Sequence, residues 1–175
     1  MEQDPDAIRR CLDGDTDAFC ALVEAYEQEA LAHARAIVGN VDDSLDVVQE
    51  AFLDAFRSLH TFDCSREFYP WFYVILRNRC YQQLKLRAKQ PATGGEVCGD
   101  VIQSSDAAAG NDVQELKRAL LLLAPADREI LLLKYIDRLS YRCLAEYLKI
   151  PAGTVMSRLY HARCRLREKL ELHGN

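Results

Sequence analysis

Val155, Leu159, Ala162, Leu166 and Leu170 are separated by 4, 3, 4 and 4 residues, which puts all five on one face of a helix and scatters them over both faces of a strand. The same period returns in Leu45, Val48, Phe52, Phe56 and Leu59, spaced 3, 4, 4 and 3, and in Phe68, Phe72, Ile75, Leu76 and Leu84. No run alternates apolar and polar residues between turn signals, so no sheet is expected. The fold class read from this pattern is all-α.

One stretch breaks the helical period. Residues 90–112, QPATGGEVCGDVIQSSDAAAGND, are rich in Gly, Ala, Ser and Asp and read as a flexible acidic linker. It divides the 175 residues into two small helical domains, 1–89 and 113–175, and a hydrophobic content of 49% supplies a core for both. In the first domain Asp4 and Pro5 start a short helix that Gly14 ends. Thr16 or Asp17 caps a longer one, with Phe19, Leu22, Val23, Tyr26, Ala30 and Ile37 inward, ending near Gly39 and Asn40. A third helix opens at Asp42, Asp43 and Ser44 and buries Leu45, Val48, Phe52, Phe56 and Leu59. A fourth carries Pro70 in its first turn, with Trp71 and Tyr73 off its apolar stripe. In the second domain a helix spans about 113–123 and another starts at Pro125 and runs to Tyr135. A short helix capped by Ser140 turns within Lys149 and Ile150 into a last one beginning after Pro151. Two helices joined this tightly form a helix-turn-helix.

Charge is segregated along the chain. Ten basic residues face sixteen acidic ones in 1–90, none faces four in 91–113, and twelve face seven in 114–175, although the net charge is −5. Inside the acidic first half, Arg77, Arg79, Lys85, Arg87 and Lys89 run without an acidic neighbour between Phe68 and Gly95. An acidic protein with two basic patches suits a nucleic-acid partner met through local surfaces. No apolar run approaches the roughly 18 residues of a membrane span, and the N-terminus is acidic where a signal peptide is basic. A soluble cytoplasmic protein without membrane insertion is expected. The seven cysteines, at 11, 20, 64, 80, 98, 143 and 164, form no CxxC pair and read as buried or idle thiols.

The last helix opposes its apolar stripe with Thr154, Ser157, Arg158, His161 and Arg165, flanked by Arg163, Arg167 and Lys169; Glu168 is the only acid between Lys149 and Lys169. Such a helix fits a major groove, its N-terminal residues reaching base edges while arginines further along neutralise phosphates. The bland alternative is a solvated basic face favoured by the helix dipole. From Phe62 to Tyr73, aromatic residues lie just ahead of the run of cations, the composition that binds a single strand by stacking and phosphate contact. Burial of Tyr69, Trp71 and Tyr73 against neighbouring helices is the other account.

DVVQEAFLDAFRSLHTF followed by FYPWFYVILRN resembles region 2 of the extracytoplasmic-function (ECF) sigma factors of the sigma-70 family, and LLAPADREILLLKYIDRLSYRCLAEYLKIPAGTVMSRLYHARCRLR resembles their region 4. The resemblance covers nearly all but the linker. It implies a transcription initiation factor, not an enzyme, whose partners are core RNA polymerase, promoter DNA and an anti-sigma factor, with no cofactor and no metal. It assigns Asp43, Asp46, Val47, Gln49, Glu50 and Asp54 to the polymerase contact. Phe62, Asp63, Cys64, Ser65, Arg66, Trp71, Arg77, Asn78 and Arg79 would melt and read the −10 element as single strand. Thr154, Val155, Met156, Ser157, Arg158, Tyr160, His161 and Arg165 would read the −35 element as duplex. Lys149 stands where the family commonly has Gly, and Met156 and His161 where it often has Lys or Arg. A left-handed backbone at Lys149 would cost about 1 kcal/mol.

A response regulator with a similar output domain would need alternating strands and helices in the first ninety residues, where helical periods run throughout. His33, His60, His161, His173 and the cysteines show no metal-ligand spacing, and no nucleophile elbow, P-loop or glycine fingerprint occurs.

Overall fold

The computed structural model describes residues 4–89 and 111–173, and all its regular elements are helices, with no strand among the described residues. Two compact units emerge: Met1–Ala34 with Asp42–Lys89, and Arg35–Val41 with Gln90–Asn175. The expected linker lies outside the described residues apart from its last two positions, which open a helix. No described helix is long and apolar enough to cross a membrane.

In the first unit α1 (Asp4–Leu12) ends at Gly14, whose φ of 103° suits a residue without Cβ. There the N–H of Asp15 donates to the Arg10 carbonyl and that of Gly14 to Cys11, satisfying carbonyls that the helix end would leave open. The cap that follows is Asp15 rather than Thr16 or Asp17, because a 3-10 turn (Thr16–Ala18) precedes α2 (Phe19–Val38) and the Asp15 carboxylate accepts from the Ala18 N–H at 3.3 Å. A second left-handed glycine, Gly39, separates α2 from α3 (Val41–Ser58). A 3-10 turn (Leu59–Thr61) and an irregular loop then lead to α4 (Phe68–Lys89).

The buried face of α3 differs from the expected one. Ser44, Val47, Val48, Ala51, Phe52 and Ala55 are buried, whereas Leu45 and Phe56 are 40% and 38% exposed. The stripe is centred on small residues, with Ser44, Ala51 and Ala55 at 0% exposure, which lets neighbouring backbones approach closely and displaces the larger side chains to its edge. Phe56 still meets Phe19 edge-on at 5.2 Å. The core of this unit is aromatic: Phe52 stacks on Phe72 at 4.4 Å, and Phe68 on Phe72 at 5.8 Å. Tyr73, expected off the stripe of α4, is fully buried and meets the buried His33 edge-on at 5.1 Å. His33 Nδ1 in turn lies 2.7 Å from the Tyr69 hydroxyl, so the polar atoms of a buried cluster bond to one another.

The second unit holds α5 (Asn111–Leu121), α6 (Pro125–Tyr135), α7 (Tyr141–Leu148) and α8 (Ala152–His173). Pro125 begins α6, where its missing N–H costs no helical hydrogen bond. Ser140 caps α7 by accepting from the Cys143 N–H at 3.1 Å. Helix α7 ends on Lys149 with φ 52° and ψ 46°, and the Ile150 N–H returns to the Ala145 carbonyl at 3.1 Å. Leu144 and Leu148 of α7 and Val155, Leu159 and Ala162 of α8 are buried together with Ile130 and Leu133 of α6, while Ala145, Leu166 and Leu170 are half-buried.

Candidate nucleic-acid interface

The turn at Lys149 presents the opposite face of α8 to solvent. Met156, Ser157, Arg158, Tyr160, His161 and Arg163 are exposed and Thr154 is half-buried. Val155, assigned above to base reading, is at 0% exposure and belongs to the core. Arg165 is exposed but engaged: one guanidinium nitrogen lies 2.8 Å from both carboxylate oxygens of Asp127, at the start of α6. It therefore ties α8 to α6, a role that local pattern could not reveal because the partner lies 38 residues away. Next to the arginines, Tyr160 and Met156 are 57% and 61% exposed, and Tyr160 meets His161 edge-on at 5.5 Å. The face mixes cations with large apolar groups, suiting phosphates and base edges together.

In the first unit the loop 62–67 is shaped by Asp63. Its carboxylate accepts from the Ser65 N–H at 3.0 Å and the Ser65 hydroxyl at 2.7 Å, while its carbonyl accepts from the Arg66 N–H. Those Ser65 hydrogen bonds hold the Asp63 carboxyl below the usual carboxylate range. Cys64, Ser65 and Arg66 are exposed at the tip. Phe62 is buried and packs on Trp71 at 5.1 Å, and Trp71, half-buried, also meets Phe68 at 5.7 Å. The exposed-ring account thus fails for Tyr69 and Tyr73, which are core, and holds in part for Trp71. Further along α4, Arg77 is half-buried with its guanidinium 4.9 Å from the Tyr81 ring centre, and Asn78 is exposed. Arg79 is half-buried and bonded to Asp54 and Glu50 of α3.

The residues assigned to a polymerase contact fall on more than one side of α3. Asp46, Gln49 and Glu50 are exposed and Asp43 and Asp54 half-buried, but Val47 is buried at 6% exposure. Sequence reasoning missed the surface beside them. Phe19, Cys20 and Val23 of α2 and Val48, Phe52, Leu53 and Phe56 of α3 line an open apolar groove of about 480 Å³. Leu53, lying outside the apolar stripe, was the signal for it. Among the described residues no three His, Cys, Asp or Glu side chains gather as a metal site requires. Cys80 is a buried thiol and Cys20 and Cys64 are exposed ones; Cys98 and the side chain of His173 lie outside the described residues.

Residues 22–90 match the family described as Sigma-70 region 2, and residues 113–166 that described as Sigma-70, region 4. Over 93% of its length the chain is 30% identical to the ECF RNA polymerase sigma factor SigW of Bacillus subtilis, covering 94% of that relative. The chain belongs to the ECF sigma factors of the sigma-70 family. ECF sigma factors are DNA-binding regulators rather than enzymes, and this one directs the initiation of transcription at promoters. It is also 31% identical to the RNA polymerase sigma-H factor of Pseudomonas aeruginosa, over 93% of this chain and 91% of the relative. Among solved structures, the sigma factor RpoE of Bartonella quintana, co-crystallised with the anti-sigma factor NepR, is similar with a TM-score of 0.73 at 27% identity. The match covers 89% of this sigma factor and 98% of that one.

Proposed function

We propose that this sigma factor attaches to bacterial core RNA polymerase through α3 and reads a promoter at two places with two separate surfaces. Residues 1–89 act as the attachment and −10 module, 113–175 as the −35 module, and 90–112 as the tether between them. The observation that carries this reading is the exposed face of α8, where Ser157, Arg158 and His161 stand opposite the buried Val155, Leu159 and Ala162 directly after a three-residue turn. A helix so presented enters the major groove with its first turns toward the bases.

In the first unit the exposed tip Cys64–Arg66 with Trp71, Arg77 and Asn78 forms the −10 surface, and an unpaired base fits beside the Phe62–Trp71 wall. Asp46, Gln49 and Glu50, next to the apolar groove of α2 and α3, supply the polymerase contact: a charged rim beside a desolvated centre. Catalysis belongs to the polymerase, and the protein works in the cytoplasm with it. The Bartonella relative is held by an anti-sigma factor, and a partner of that class is part of the reading here.

Run-off transcription with purified bacterial core polymerase and a promoter library tests the proposal. Initiation from a subset of promoters sharing two spaced elements is the expected result, and failure of the protein to co-purify with core polymerase would overturn it.

A further inference from the structure

Arg79 of α4 lies between two carboxylates of α3. Its Nε and one terminal nitrogen are each 2.5 Å from Asp54 Oδ2, and the other terminal nitrogen is 2.7 Å from Glu50 Oε2. Further along the same seam Gln83 and Arg87 reach Asp43 at 2.9 and 3.0 Å. The Arg79 and Asp54 side chains are 30% and 29% exposed, so their pairing is partly shielded from water, whereas that of Glu50 is 60% exposed. The contact holds the Asp54 carboxyl below its ordinary range and raises the Arg79 guanidinium above its own, each chiefly through the hydrogen bond they share. Asp54 and Arg79, with Ser58, Ile75, Asn78 and Gln82, line an open pocket of about 410 Å³. The cation of that pocket is turned toward protein carboxylates.

We propose that Glu50 and Asp54 hold Arg79 away from nucleic acid in the free protein, and that a cationic partner surface docking on α3 takes those carboxylates and releases Arg79 to a DNA phosphate. The inference rests on the assignment of α3 to polymerase attachment and of α4 to the −10 strand. A guanidinium has five donors, and Arg79 directs three of them at Glu50 and Asp54. A phosphate must compete with those contacts. Lysines or arginines of a partner remove the competition, and by reciprocity DNA on Arg79 leaves the carboxylates open to the partner. Each binding event favours the other without any movement of the helices.

The test is a mutant cycle on the full chain without polymerase. A fluorescein-labelled single-stranded DNA of random sequence is titrated by anisotropy at several NaCl concentrations against wild type, Glu50→Gln with Asp54→Asn, Arg79→Gln, and the triple variant. Neutralising the carboxylates should tighten binding about threefold or more. It should also steepen the dependence of log K on log salt by about 0.7, the signature of one further phosphate contact on a single strand. In the Arg79→Gln background the gain should fall by at least about half, since only general charge removal is left there. An equal gain in both backgrounds, or no gain in either, overturns the proposal. Circular dichroism melts check folding. If the double carboxylate variant loses its cooperative transition, Glu50→Gln alone, at the more exposed site, goes through the same cycle under the same criterion. Co-purification of wild type with core polymerase is a separate readout: its failure removes the functional reading, while the cycle judges the masking of Arg79 independently.

Discussion

Lys149 pays for the turn between α7 and α8 with a left-handed backbone, φ 52° and ψ 46°, that a residue bearing Cβ adopts at a penalty. Lys149→Gly should raise stability by about 0.5–1 kcal/mol, part of the relief being offset by the freer unfolded chain. A higher urea midpoint with unchanged slope is the expected reading. That conformation was legible only through the resemblance, because Lys149 stands where the family commonly has Gly. What each arginine of α8 does was not legible in the same way. Arg158 and Arg165 look equivalent in the local pattern, yet Arg158 is exposed on the outward face and Arg165 is bonded to Asp127. Arg158→Ala should weaken binding of −35 duplex by about 1–3 kcal/mol while leaving polymerase attachment intact, measured by electrophoretic shift and by co-purification. Equal loss of both activities would mean that α8 faces the polymerase.

At the scale of elements, the helices and their turns follow from spacing, Gly14, Gly39, Pro125 and Ser140. The rotation of α3 about its axis does not. The period in Leu45, Val48, Phe52, Phe56 and Leu59 is genuine, but hydrophobic size misleads about its centre, since the deepest positions are Ser44, Ala51 and Ala55. Which face a helix buries depends on what packs against it, and the sequence of that helix alone does not say. For the same reason the seam between α3 and α4 was invisible: Asp54 and Arg79 are 25 residues apart. The seam carries a pH dependence of known sign. Because the hydrogen bond from Arg79 lowers the Asp54 carboxyl, its ionised form is favoured by folding. The resulting stability is fully present above the ordinary carboxylate value of about 3.9 and is lost as pH falls through the lowered one. The stability gap between wild type and Asp54→Asn should therefore stay constant from neutrality to about pH 4 and close below it. For a pair still about 30% exposed it should be under about 1 kcal/mol.

For the whole molecule, the net charge of −5 conceals surfaces of opposite sign, and the segregation was plain in the order of residues. Tethered modules cooperate only when their separation matches the spacing of their sites. The isolated protein should thus bind a duplex promoter weakly and with steep salt dependence, and adding core polymerase should tighten specific binding by at least about a hundredfold. Tight specific binding by the free chain would show that its two modules need no scaffold.

The ion pair of Arg165 with Asp127 has a genetic consequence. Helix α8 is braced from α6 by a carboxylate that is itself only 12% exposed. Selection for altered promoter preference should accordingly return lesions at codon 127 as well as in α8. Asp127→Asn should relax discrimination among −35 sequences while leaving every residue of α8 itself unchanged.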